Sequence, residues 1–128
     1  IMAVFGAPNP RPDDADRAIQ CGYAMIEAIE RLNQTRAARN LPHLKHGIGI
    51  HYGPVIAGNV GTPERAAYTV IGDTVNLASR LETMTKQLHV DLIVSDAAYL
   101  ASTCEQPLKR LDNMKVAGRT GTISIYVK

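Results

Sequence analysis

Between Tyr68 and Leu88 a short apolar run, Tyr68 to Ile71, meets a Gly72-Asp73 break and then a stretch with helical periodicity from Val75 to Leu88. Ala78, Leu81, Met84 and Leu88 recur at three- and four-residue spacing and define one apolar face. A strand that passes into an amphipathic helix through so short a turn leaves that helix one place to go, against a sheet. Asp73 is placed to cap the helix, where a carboxylate satisfies free N–H groups and complements the dipole, worth about 0.5–2 kcal/mol.

The rest of the chain supplies the sheet. Ile1 to Phe5 reads as a buried strand, and Gly6 to Pro12 holds Pro8, Pro10 and Pro12, which forbid helix and make a stiff loop. Asp13, Asp14 and Asp16 open a helix running to about Arg39, with Ala18, Gly22, Met25, Ile26, Ile29 and Leu32 as its apolar stripe. Lys45 to Tyr52 is a strand whose Gly47 and Gly49 allow close backbone approach, and Pro54 to Val60 is a second strand. Gly61 to Ala67 reads as a polar loop, Val90 to Val94 as a strand, and Ser95 to Ala101 as a short helix capped by Ser95. Leu108 to Val127 supplies two or three antiparallel strands with a turn at Gly118 to Gly121. The pattern predicts an α+β fold, with helices covering one face of a largely antiparallel sheet.

Composition narrows the function. A chain of 128 residues is one domain, and 45% hydrophobic with 20% charged residues is ordinary for a soluble globular protein. No apolar run approaches the roughly 18–20 residues of a membrane helix. The net charge of +2 is scattered, so neither nucleic acid nor a membrane surface is an expected partner. Cys21 and Cys104 lack the spacing of a zinc site or a disulfide scaffold, which fits a reduced, cytoplasmic setting. His46 and His51 face opposite sides of a strand, and His43 and His89 sit at element ends, so no metal cluster is expected. The helix-opening aspartates are likewise not read as metal ligands.

Asn76 and Arg80 are one turn apart on the same side of the helix and off its apolar face. An amide donor beside a guanidinium suits a phosphoryl group whose negative charge grows during reaction. The residues alone leave open a solvated polar pair without a role.

Three stretches, in order, carry a resemblance. Val70-Ile-Gly-Asp-Thr-Val-Asn-Leu-Ala-Ser-Arg-Leu-Glu82 resembles the signature of class III adenylate and guanylate cyclases. Ile1-Met-Ala-Val-Phe-Gly6 is similar to the strand that follows that family's second metal aspartate, and His46-Gly-Ile-Gly-Ile-His-Tyr-Gly-Pro-Val-Ile-Ala-Gly58 to its next strand pair. Val116 to Tyr126 resembles the closing hairpin more loosely. The resemblance implies that residues 1–128 are the C-terminal portion of a catalytic domain with a ferredoxin-like palm fold, incomplete at its N-terminus. It also implies head-to-tail pairing, as a homodimer, with active sites at the interface.

Carried over by position, Asn76 would orient the ribose and Arg80 would stabilise charge on the reacting α-phosphate. Thr69 takes the position that helps read the purine edge, where threonine or aspartate goes with adenine, so the expected substrate is ATP and the expected product 3′,5′-cyclic AMP. A β-branched residue in a strand needs no such role. The family uses two divalent cations, magnesium or manganese, to activate the ribose 3′-hydroxyl and hold the triphosphate. Their aspartates, and the lysine that reads adenine, precede the segment matching Ile1 to Phe5, so this chain alone is expected to be inactive. Ala117 stands where the family has a phosphate-contacting lysine. Lys115 or Arg119 could replace it, and Arg65 could serve the triphosphate as well, or each is simply a solvated charge. The alternatives are a non-catalytic cyclase homology domain, which Ala117 favours and Asn76 with Arg80 disfavours, and a guanylate cyclase. A diguanylate cyclase is set aside because its Gly-Gly-Asp/Glu-Glu-Phe hairpin is absent.

Overall fold

A computed structural model describes residues 1–62 and 65–128, leaving aside the side chains of residues 62 and 65–67. In chain order the elements are α1 (Asp14–Ala37), β1 (Ile48–Ile50), β2 (Ile56–Thr62), β3 (Arg65–Ile71), α2 (Asp73–Leu88), β4 (Leu92–Ser95), α3 (Asp96–Leu100), β5 (Lys109–Lys115) and β6 (Thr122–Val127). Four strands form a sheet in the order β1-β4-β6-β5, with β1 parallel to β4 and the other pairs antiparallel. β2 and β3 make a separate antiparallel hairpin.

Two cores follow from the two-residue period of the central strands. Leu92 and Val94 of β4 and Tyr126 of β6 pack with Ile19, Tyr23 and Ile26 of α1 and Ala98 of α3. The intervening residues, Ile93, Ile125 and Val127, point the other way and pack with Leu77, Leu81 and Met84 of α2 and with Val116. The α+β class therefore stands, but the expectation of helices on one face is corrected: α1 and α3 cover one side of the sheet and α2 the other. This explains why every residue of β4 is buried, a run without the polar alternation of a half-solvated strand. Full burial of each large aliphatic side chain here contributes about 1.5–3 kcal/mol.

Close approach of α2 to β1 depends on glycine. A Cβ on Gly49 would run into the Ala78 carbonyl oxygen and the Glu82 amide nitrogen, both backbone atoms of α2. The predicted role of this glycine is thus realised against the helix that carries Asn76 and Arg80.

Other expectations change. α1 buries Ala15, Ile19, Gly22, Tyr23 and Ile26, whereas Met25 and Leu32 of the predicted stripe are exposed. From Glu27 onward no residue of α1 is buried, so its later apolar residues have no sheet beneath them. Ile1 to Val4 is irregular and exposed rather than a buried strand, because among the described residues no strand pairs with it. The expected polar loop from Gly61 to Ala67 is largely ladder: β2 runs through Thr62 and β3 starts at Arg65, with those two residues in register. Polar and small residues there read as loop, yet the antiparallel ladder continues through them. The connection itself, Pro63 and Glu64, lies outside the described residues. Two expectations hold closely: Ser95 caps α3 by accepting from the Ala98 amide at 3.2 Å, and residues 108–127 form two antiparallel strands.

Candidate active site

The N-terminal turns of α2 are the centre of the candidate site. Gly72 at the N-cap has φ of +148°, a conformation open to glycine, and lets β3 turn straight into the helix. Asp73 is therefore the first helical residue and makes no capping bond, which corrects the capping role expected from sequence. Its carboxylate instead accepts from Arg119 Nη2 at 3.3 Å. Thr74 Oγ1 donates to the Pro54 carbonyl at 2.6 Å, tying the first turn of α2 to the segment between β1 and β2.

Asn76 is exposed and Arg80 half-buried, while Leu77 and Leu81 between and beyond them enter the core. Both candidate side chains thus stand on a helix fixed by its other face. The turn between β5 and β6 reaches over to the same place. Val116 is buried among α2 residues, the Arg119 amide donates to the Val116 carbonyl at 3.1 Å, and Gly118 has φ of +69°. A Cβ on Gly118 would lie 3.1–3.3 Å from the Nη2, Cζ and Nη1 atoms of Arg80.

His51, just after β1, is hydrogen-bonded through Nδ1 to Ser95 Oγ at 2.8 Å. Its pKa lies below the ordinary imidazole value, first because of burial and then because the Arg119 cation is near, with Asp73 opposing. Those charges place His51, Asp73 and Arg119 in one neighbourhood at the C-terminal end of β1.

The remaining sequence-predicted residues are spread more widely. Thr69 is half-buried on β3, opposite Gly58 of β2. Lys115 ends β5 and is exposed. Arg65 begins β3, and its side chain lies outside the described residues. The structure brings Arg80, Arg119 and Asp73 together through the β5–β6 turn. Sequence reasoning missed Asp73 as the partner of Arg119 and missed Gly118 as the backbone beside Arg80. The signal available was Gly118-Arg119 itself, a flexible position followed by a cation in a predicted turn.

A divalent-cation site is not formed by these residues. Among those described, no three His, Cys, Asp or Glu side chains are grouped to hold a metal ion. Asp14 is committed to the Arg11 amide at 2.7 Å and to Arg17 at 3.1 Å. Asp16 accepts from Ser102 and Thr103, which holds its carboxyl below the usual range.

The family model for the adenylate and guanylate cyclase catalytic domain matches residues 1–128. The chain belongs to that family. This cyclase domain is 36% identical over 128 residues to "Adenylate cyclase 1" of Rhizobium meliloti (strain 1021), covering 98% of this chain and 19% of that protein. It is also 36% identical over 133 aligned positions to "Adenylate cyclase" of Anabaena cylindrica, covering 98% of this chain and 26% of that protein. The cyclase domain thus spans about a fifth to a quarter of the length of these relatives. Among solved structures it superposes on the guanylyl cyclase Cya2 with a TM-score of 0.83 at 31% identity, covering 96% of this chain and 61% of that one. As a family the class III cyclases use divalent metal, so the acidic side chains of this cyclase domain and the family's metal do not match among the described residues. No helix among the described residues is long and apolar enough to cross a membrane.

Proposed function

We propose that this domain belongs to an adenylate cyclase that converts ATP to 3′,5′-cyclic AMP and diphosphate for intracellular signalling. The observation that carries this reading is Arg80: a half-buried cation on a helix locked into the core, with Asn76 exposed one turn before it. In the proposed reaction the ribose 3′-hydroxyl gives up its proton to solvent and its oxygen forms a bond to the α-phosphorus as the bond to diphosphate breaks, the electron pair leaving with diphosphate. Negative charge builds on the α-phosphate oxygens, and Arg80 donates to them, an interaction stronger in the transition state than in the bound substrate. Asn76 holds the ribose so that the attacking oxygen stays in line. Lys115 is proposed to serve the triphosphate in place of the lysine that Ala117 replaces, with Arg65 serving it as well, while Arg119, held by Asp73 at 3.3 Å, adds positive charge from beside the site.

Thr69 favours adenine, and two relatives matched over almost the whole chain are named adenylate cyclases. The likeness to Cya2, a guanylyl cyclase, keeps GTP as the second reading. In the complete protein we propose two magnesium or manganese ions. The described residues do not fit them, and the 128 residues alone are proposed to make no cyclic nucleotide.

A homodimer is proposed on the hairpin. Ile56 and Ile71 are in register and 71% and 51% exposed, and Val60 on the same face is 50% exposed. Thr69 stands between them in the alternation of β3, so a second copy covering this apolar face would enclose the residue proposed to read the base. We further propose a cytoplasmic location, as one domain of a larger sensor protein.

The test is the rate of cyclic nucleotide formation by the full-length protein from ATP and from GTP. An ATP preference of at least about tenfold is expected. Faster cyclisation of GTP overturns the substrate assignment, and nucleotide binding without product from either would point to a non-catalytic homology domain.

A further inference from the structure

The Asp73–Arg119 pair has no place in the proposed chemistry as a bond between two groups of the protein. Both side chains are partly solvated, 68% and 39% exposed, so the pair adds little to stability by itself. Its position is what matters. Asp73 is fixed as the first residue of α2, seven residues before Arg80. Arg119 follows Gly118, and the open side of Gly118, where a side chain would start, faces three atoms of the Arg80 guanidinium. The turn is anchored on its other side by Val116, which is 4% exposed and packs with Leu77 and Leu81. The segment from Val116 to Arg119 is thus held at both ends, by burial at one and by Asp73 at the other, with Gly118 over Arg80 between them.

We propose that Asp73 is a positioning residue for the cyclase reaction: it holds Arg119, and with it the β5–β6 turn, so that Gly118 closes one side of the Arg80 guanidinium and fixes where that cation points. Glycine suits the position for two reasons: its φ of +69° strains any other residue, and an added Cβ would stand 3.1–3.3 Å from the guanidinium, close enough to push that cation aside by a few tenths of an ångström. A flexible arginine loses rotamer entropy each time it engages phosphate. Walling it on one side before substrate arrives removes part of that loss and aims the donors in advance. This inference rests on the proposed role of Arg80.

The test is steady-state kinetics of the full-length protein with ATP, for Asp73→Asn, Asp73→Glu, Gly118→Ala, Arg80→Ala and the double variant Asp73→Asn with Arg80→Ala, each with its melting temperature. Asp73→Asn and Gly118→Ala should lower kcat on the order of 10-fold with KM little changed, because misplacing a catalytic group costs rate rather than affinity. Asp73→Glu, which keeps the carboxylate, should recover most of the loss. In the Arg80→Ala background Asp73→Asn should cost nothing further, since the two act as one unit. Multiplicative losses, or a fall in kcat that tracks the melting temperature, would show a merely structural role and overturn the proposal. So would a large rise in KM for Asp73→Asn, which would show that freeing Arg119 disturbs substrate binding instead. If Arg80→Ala itself leaves kcat unchanged, the assigned catalytic role of Arg80 fails and this proposal with it. If Arg80→Ala is slow while Asp73→Asn is not, only the positioning role fails.

Discussion

Replacing Gly49 with alanine tests how tightly the site helix is set on the sheet. The added methyl meets two backbone atoms of α2, the Ala78 carbonyl oxygen and the Glu82 amide nitrogen, which cannot swing aside as a side chain can. Overpacking of this kind costs about 1–3 kcal/mol, with the upper part of the range apt where backbone must shift. Loss of glycine's freedom in the unfolded chain returns about 0.4–1 kcal/mol. The net destabilisation is about 2 kcal/mol. With an unfolding entropy of about 2.1 cal/mol/K per residue over 128 residues, the melting temperature should fall by about 7 °C in calorimetry. Gly22→Ala is the internal comparison. Its methyl would sit 3.3 Å from the terminal atoms of Ile50 and Leu92, which are side-chain ends, and alanine in a helix interior gains about 1 kcal/mol over glycine. That substitution should be near neutral. Gly49→Ala should also slow turnover more than its stability loss accounts for, because Asn76 and Arg80 move with α2. Equal melting temperatures for the two alanine variants would refute the close approach of α2 to β1.

Two further outcomes are expected from other parts of the fold. His51 has a lowered pKa in the folded state, so as pH falls through its unfolded value of about 6.5 the unfolded chain takes up the proton first and stability declines. His51→Gln should flatten that acid limb of a stability-against-pH curve while leaving the alkaline side alone; an unchanged slope between pH 7 and 5 would contradict the shift. Ile71→Glu puts a charge in the exposed apolar face of the hairpin, opposite Ile56, and should weaken the proposed dimer, shifting sedimentation towards monomer while circular dichroism shows the chain still folded; a dimer of unchanged affinity would mean that this face is not the interface.

Local chemistry was the legible part of the sequence. Ser95 before Asp96-Ala-Ala could be read as a cap because the bond spans three residues, and the Asn76–Arg80 pair because four residues make one helical turn. Gly49 was legible as a close-approach position, although not which helix approaches it. What could not be read depends on partners far along the chain. Asp73 meets Arg119 across 46 residues, and the same aspartate looks like a cap until that arginine is in place. The stripe of α1 was misjudged because periodicity reports which residues share a face, whereas the length of the sheet beneath decides which of them are buried. Helices on both faces were hidden for a related reason. Leu92-Ile-Val is apolar throughout, and such a run fits a strand buried on both sides, but the opposite placement of α1 and α2 appears only when their contacts are known.

The most direct test of the account is the turnover of the full-length protein carrying Arg80→Ala, measured as cyclic AMP formed at saturating ATP, together with ATP affinity by equilibrium binding. A donor that acts on charge developing at the α-phosphate predicts a fall in kcat of roughly 10²–10³-fold with affinity little changed. Unchanged turnover, or a loss of ATP binding as large as the loss of rate, would contradict it.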